Sequence, residues 1–243
     1  MDTPFAVIGK KRWISLPKHL VFLPIKAANR FRPRIAVFCP ICYNNFNNYR
    51  GKQVSNMQTK DLIQLIDRTL VDIWENEIKS DYECGWLLKE DTLKNALYFH
   101  LRSKLGTVFE YNDIRIFTEF TDDKFKGTGC RPDMVIARVD MNALSKYWGN
   151  NVTECLAVIE IKYKAGFTPH HDIIADYEKL KYYAQKLGVT AKLYMATIWE
   201  YEDDPTNWER KNAAWAKGRL TELNASYARE SEGEMRFYVY PHE

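Results

Sequence analysis

Long apolar runs are missing from this 243-residue chain. No stretch approaches the roughly 20 residues a membrane-spanning helix needs, which argues against a helical membrane protein. A secretion signal is also missing: Lys10, Lys11 and Arg12 are present, but Pro17 and Lys18 interrupt the residues beyond them, and no apolar core with a small-residue cleavage site appears. The expectation is a cytoplasmic, intracellular protein. Cysteine is sparse and odd in number, with Cys39, Cys42, Cys84, Cys130 and Cys155 scattered along the chain. That set does not form a disulfide framework in an intracellular chain of this size. Cys39 and Cys42 make half of a zinc-ribbon pattern whose other half is missing, and no histidine stands at the usual spacing from Cys84 or Cys130. Ordinary thiols are therefore favoured over a structural zinc. The adjacent His170 and His171 would face different ways on a helix and suit a shared metal poorly. There is no internal repeat and no low-complexity tract.

The composition itself is ordinary for a globular protein, with 46% hydrophobic and 28% charged residues. This length supports one large domain, or a domain with an appendage, around a sizeable core. The net charge of +3 conceals an asymmetry: residues 1–60 carry 11 Lys or Arg and one acid, Asp2, hence +10, while residues 61–243 carry 24 bases and 31 acids, hence −7. A basic segment on an acidic body is either a polyanion footprint or a solvated face that docks on the chain's own acids. Within it, Arg30, Arg32 and Arg34 alternate with Phe31 and Ile35, which on a strand would put three guanidinium groups on one side. Pro17, Pro24 and Pro33 break this part into short strands and loops, so residues 1–58 are expected to form a basic extension and residues 59–243 the main domain.

Helical spacing over Thr59–Ile78 predicts a first helix with Thr59 as its cap. A second is expected over Glu90–Leu105, where Leu93, Leu97, Leu101 and Leu105 form a line that Gly106 stops. Glu90 lies three residues before Leu93, on the inward side, where an acid needs a partner. Runs rich in Ile, Val and Phe predict strands over Asp113–Phe120, Met134–Val139 and Cys155–Tyr163, with a helical turn possible between the last two around Ala143–Trp148. A helix over His171–Leu187, a strand over Ala191–Ile198, a long helix over Asn207–Tyr227 and a short strand over Met235–Tyr240 complete the chain. The order implies an α/β protein with a mixed sheet and helices on its faces.

The chemistry concentrates between Gly129 and Lys164. Asp133 heads one predicted strand, and Glu160 and Lys162 lie near the end of another, two residues apart and so on one sheet face. Magnesium or manganese takes oxygen ligands and retains waters, so one or two carboxylates plus a substrate phosphate suffice to hold it. A lysine beside them can position the attacking water or neutralise developing charge, and the Ile161 carbonyl could add an oxygen ligand. Taken singly, Glu-x-Lys is usually a same-face ion pair and Pro-Asp a turn.

Arg131-Pro132-Asp133 followed by Ile159-Glu160-Ile161-Lys162, between a helix with an inward acid and a helix–strand unit, resembles the PD-(D/E)xK nuclease superfamily. The resemblance spans roughly residues 85–200 and covers the order of elements as well as the motif. It implies a restriction-endonuclease-like core of helix, three strands, helix and strand, with Asp133 and Glu160 as metal ligands and Lys162 as the catalytic lysine. It further implies a helix-borne acid, for which Glu90 is the choice, and a Mg2+ (or Mn2+) cofactor. Some members add polar residues on the next helix, where Asp176, Lys179 and Gln185 are candidates. The 26 residues 134–159 make a long gap, so an insertion is expected there. Arg30, Arg32, Arg34, Lys164 and Lys179 are the candidate nucleic-acid contacts, with Tyr182 and Tyr183 as possible stacking surfaces. The expected activity is phosphodiester hydrolysis, with DNA the expected polymer and a homodimer favoured if both strands are cut. The alternatives are a nucleic-acid-binding or assembly protein of the same fold without turnover, and an unrelated α/β protein.

Overall fold

Two apolar helix faces and a run of doubly buried strands build the architecture. The computed structural model describes residues 57–121, 131–143, 145–165, 171–187, 190–200, 214–227 and 234–242. Helix α1, Thr59–Asp72, buries Leu62, Ile63, Ile66 and Leu70. It continues through a stretch of wider π-type turns, Ile73–Ile78, into the short α2, Lys79–Glu83. Helix α3, Glu90–Tyr111, buries the line Leu93, Leu97, Leu101 and Leu105. Each such leucine removed from water contributes about 1.5–3 kcal/mol.

The sheet has six strands in sequence order: β1 Ile114–Thr118, β2 Met134–Val139, β3 Val152–Lys164, β4 Lys192–Trp199, β5 Leu220–Tyr227 and β6 Met235–Pro241. The pairs β1–β2, β2–β3 and β5–β6 are antiparallel, and β3–β4 and β4–β5 are parallel. Helix α4, His171–Lys186, lies in the crossover between the parallel strands β3 and β4. On one face, α1 and α3 pack on Ile159, Ile161, Tyr194, Ala196 and Leu223. On the other, Ile173, Tyr177, Leu180 and Tyr183 of α4 pack with Val135, Val158, Leu193 and Met195. The result is an α/β fold with a mixed sheet flanked by helices.

Several sequence expectations change. Thr59 is not the cap of α1: Gln58 occupies that position, and the Thr59 hydroxyl donates to Glu154 Oε2 at 3.0 Å. Gly106 does not stop α3, which runs five residues further to Tyr111 because Val108 and Phe109 continue its buried face. The predicted helix Asn207–Tyr227 is wrong where the structure describes it: residues 214–219 form turns and Leu220–Tyr227 is strand β5. Gly218, at φ 67°, sits in the left-handed region immediately before that strand. Both sides of β5 are buried, so it lacks the alternation that would have marked it. The long gap between Asp133 and Glu160 is filled by strand: β3 begins at Val152, and its connection to β2 holds a 3-10 turn over Trp148–Asn151 rather than earlier. Nearly all of the basic extension 1–58, with Arg30, Arg32, Arg34, Cys39 and Cys42, lies outside the described residues, as does His170.

Candidate active site

The register of β2 on β3 assembles the site. Met134 pairs with Ile159, so Asp133, one residue before the strand, stands opposite Glu160. Its Oδ2 accepts the backbone N–H of Ile161 at 2.8 Å across a separation of 28 residues. The backbone N–H and C=O of one strand residue point to the same edge, so the Ile161 carbonyl faces this side too. Two further backbone bonds, from the residues just after β1, anchor this segment: Glu119 N–H donates to the Asp133 carbonyl at 3.0 Å, and Phe120 N–H to that of Pro132 at 3.2 Å. Glu119 adopts φ 52°, a left-handed conformation that turns the chain at the end of β1.

Helices supply the remaining groups. Lys162 Nζ lies 2.9 Å from Asp176 Oδ2 on α4 and 3.4 Å from Glu90 Oε2 on α3. Lys179 Nζ lies 2.6 Å from Asp176 Oδ1 and 3.6 Å from Glu160 Oε2. Lys94, one helical turn after Glu90, reaches Asp133 Oδ1 at 3.1 Å and also bonds Glu119. Arg131 Nε holds the other Glu119 oxygen at 2.7 Å. Sequence reasoning singled out Glu90, Asp133, Glu160, Ile161, Lys162, Asp176 and Lys179, and the fold brings all of them here. It missed Lys94 and Glu119; the i, i+4 spacing of Lys94 from Glu90 was the available signal. Gln185 is exposed. Lys164 is buried and its ammonium lies 3.0 Å from Asp172, so it is not presented as a free cation.

Electrostatics separate the carboxylates. Glu160 is completely buried, and among the described residues neither of its oxygens has a partner in ordinary hydrogen-bond geometry. Burial, with Asp133 and then Asp176 adding repulsion, pushes its carboxyl well above the usual range; Lys179 and the Tyr183 hydroxyl offset only part of this. Glu90 is also raised, chiefly by burial, although Lys162 pulls the other way. For Lys162 burial alone would lower the ammonium, but the hydrogen bond and charge of Asp176 and the charge of Glu90 outweigh it. Lys94 and Lys179 are raised by the same balance, through Glu119 and Asp133 in one case and Glu160 and Asp176 in the other. All three lysines are therefore held as cations.

Among the described residues, no group of three or more His, Cys, Asp or Glu is arranged to hold a metal. The donors that converge are the Asp133 and Glu160 carboxylates, beside the edge that the Ile161 carbonyl faces. The partly compensated buried oxygens of Glu160 and its repulsion by Asp133 fit a hard divalent cation that keeps most of its water. No described helix is long and apolar enough to cross a membrane. No family model, curated protein or solved structure matches the chain.

Proposed function

We propose that the chain is a metal-dependent nuclease that hydrolyses phosphodiester bonds of nucleic acid, with DNA the preferred polymer and a restriction-endonuclease-like core as its frame. The observation that carries this reading is the completely buried Glu160 carboxyl beside Asp133, whose burial the Lys179 ammonium at 3.6 Å and the Tyr183 hydroxyl offset only in part. A buried carboxyl that is costly to ionise is kept where something else completes it.

Asp133 and Glu160 would hold magnesium or manganese, with the Ile161 carbonyl as a further oxygen donor. Such an ion supplies Lewis acidity toward the scissile phosphate and acidifies its bound water. Asp133 is suited to its task because the Ile161 N–H fixes one oxygen and leaves the carboxylate plane set. Lys162, held as an ammonium between Asp176 and Glu90, cannot serve as a base at neutral pH. Its role is to donate hydrogen bonds and neutralise charge gathering on the phosphate oxygens. Asp176 aims that ammonium, and Glu90 restrains it from the opposite helix. Lys179 and the basic N-terminal residues Arg30, Arg32 and Arg34 would contact the phosphate backbone.

The test is a panel of labelled single- and double-stranded DNA and RNA with magnesium, manganese or chelator. Metal-dependent cleavage that disappears in Asp133→Ala and Glu160→Ala is expected. Binding without cleavage by the parent chain under every metal condition would sink the reading.

A further inference from the structure

We propose that Lys94, shared between Asp133 and Glu119, gives up Asp133 and is handed over wholly to Glu119 when a divalent ion enters the site. The inference rests on the metal reading of Asp133 and Glu160. Its own basis is the set of contacts around one ammonium. Lys94 projects from α3 with its side chain only 9% exposed, between the two acids. Its Nζ bonds two acceptors, Asp133 Oδ1 and Glu119 Oε1. Asp133 has its other oxygen committed to the Ile161 N–H, so Lys94 and an incoming ion meet at the same carboxylate.

Glu119 is built to receive the displaced charge. Arg131 grips Oε2 and leaves Oε1 to Lys94. The bond from Glu119 N–H to the Asp133 carbonyl holds the two residues side by side. Nζ already lies nearer Glu119 than Asp133, so a swing about the Glu119 contact frees Asp133 while keeping Lys94 paired. Like charges that share one partly buried carboxylate repel strongly, so removing Lys94 relieves an incoming cation. Removing the Glu119 charge does the reverse, because it confines Lys94 to Asp133.

The two neighbours thus carry opposite signs. Calorimetric titration of the metal-free full chain with manganese should show tighter binding in Lys94→Met, by about tenfold for one such charge contact. Glu119→Gln should bind manganese weaker by a similar factor. In the double variant Glu119→Gln should have no effect, because the ammonium it would confine is absent. A fold defect alone weakens binding in both variants and cannot produce this pattern. If Lys94→Met does not fold, the Glu119→Gln arm decides, with its thermal midpoint as the control. Unchanged affinity in Glu119→Gln, or equal or weaker affinity in a folded Lys94→Met, overturns the handover while leaving the metal reading intact. A parent chain that takes up no manganese, like its Asp133→Asn variant, removes the metal reading and the handover with it.

Discussion

Replacing Glu160 by glutamine should stabilise the metal-free protein, although it removes a central residue of the proposed site. Glu160 is fully buried, neither oxygen has a partner in ordinary hydrogen-bond geometry among the described residues, and the near cation, Lys179, stands 3.6 Å away. Burial and Asp133 hold its carboxyl well above the ordinary value of 4.5, so the folded state binds this proton more tightly than the unfolded chain does. Stability is therefore unaffected while both states are protonated, falls as pH rises past 4.5, and levels off above the folded-state value. Glutamine keeps the shape and removes the charge. An unsatisfied buried polar group costs about 1–3 kcal/mol, more when charged. In a domain of this size that corresponds to a rise in Tm of roughly 2–4 °C per kcal/mol.

The assay is thermal unfolding followed by circular dichroism, in chelator, from about pH 4 to pH 8. Glu160→Gln should melt above the parent at neutral pH, and the difference should close toward the acid end. A variant that melts at or below the parent throughout would refute the account of a partly compensated carboxylate. Saturating manganese should then invert the order, since an ion at 100 times its Kd stabilises the parent by about 2.7 kcal/mol and the variant has lost a ligand. If the first arm holds and the inversion fails, the buried charge is real and the metal assignment is wrong.

Two other substitutions test the frame. Gly106 lies inside α3 and a Cβ there would meet nothing within 4 Å, so Gly106→Ala should stabilise the fold by about 0.5–1 kcal/mol, read as a higher urea midpoint at unchanged slope. A loss of stability would mean that the helix ends where the glycine first suggested. His242 Nε2 lies 2.7 Å from Oε1 of the fully buried Glu222, whose other oxygen accepts from Asn224 at 3.1 Å. His242→Ala should cost about 1–3 kcal/mol by stripping one partner from a buried carboxylate, and a shift below about 0.5 kcal/mol would show that the contact is idle.

Helices α1, α3 and α4 were legible because each shows the sheet one apolar stripe. Strands β1 to β4 were legible from their Ile- and Val-rich runs between turn residues. β5 was not, because Thr221, Glu222, Asn224 and Ser226 are buried polar residues and read as a helix surface. Their burial depends on pairing with β4 and β6, which no local window contains. At the site, strand alternation placed Glu160 and Lys162 on one face correctly. Local spacing could not show that Lys94 would reach Asp133, since that contact is made only when α3 packs on the sheet.

The same packing discriminates between the two readings of Glu160-Ile161-Lys162. As a same-face ion pair, Glu160 and Lys162 would satisfy each other. Instead Lys162 is taken by Asp176 and Glu90, and Lys179 divides itself between Asp176 at 2.6 Å and Glu160 at 3.6 Å. Asp133 has Lys94 and a backbone N–H, Asp176 has two lysines, and Glu90 has one. A network selected only for stability would have closed on its most buried member, because that is where an open valence costs most. Here the most buried acid, Glu160, has the weakest support: the Lys179 ammonium at 3.6 Å, which Asp176 holds more closely, and the Tyr183 hydroxyl. Glu160 is therefore the position at which a charge-neutral substitution separates a metal ligand from a purely structural acid.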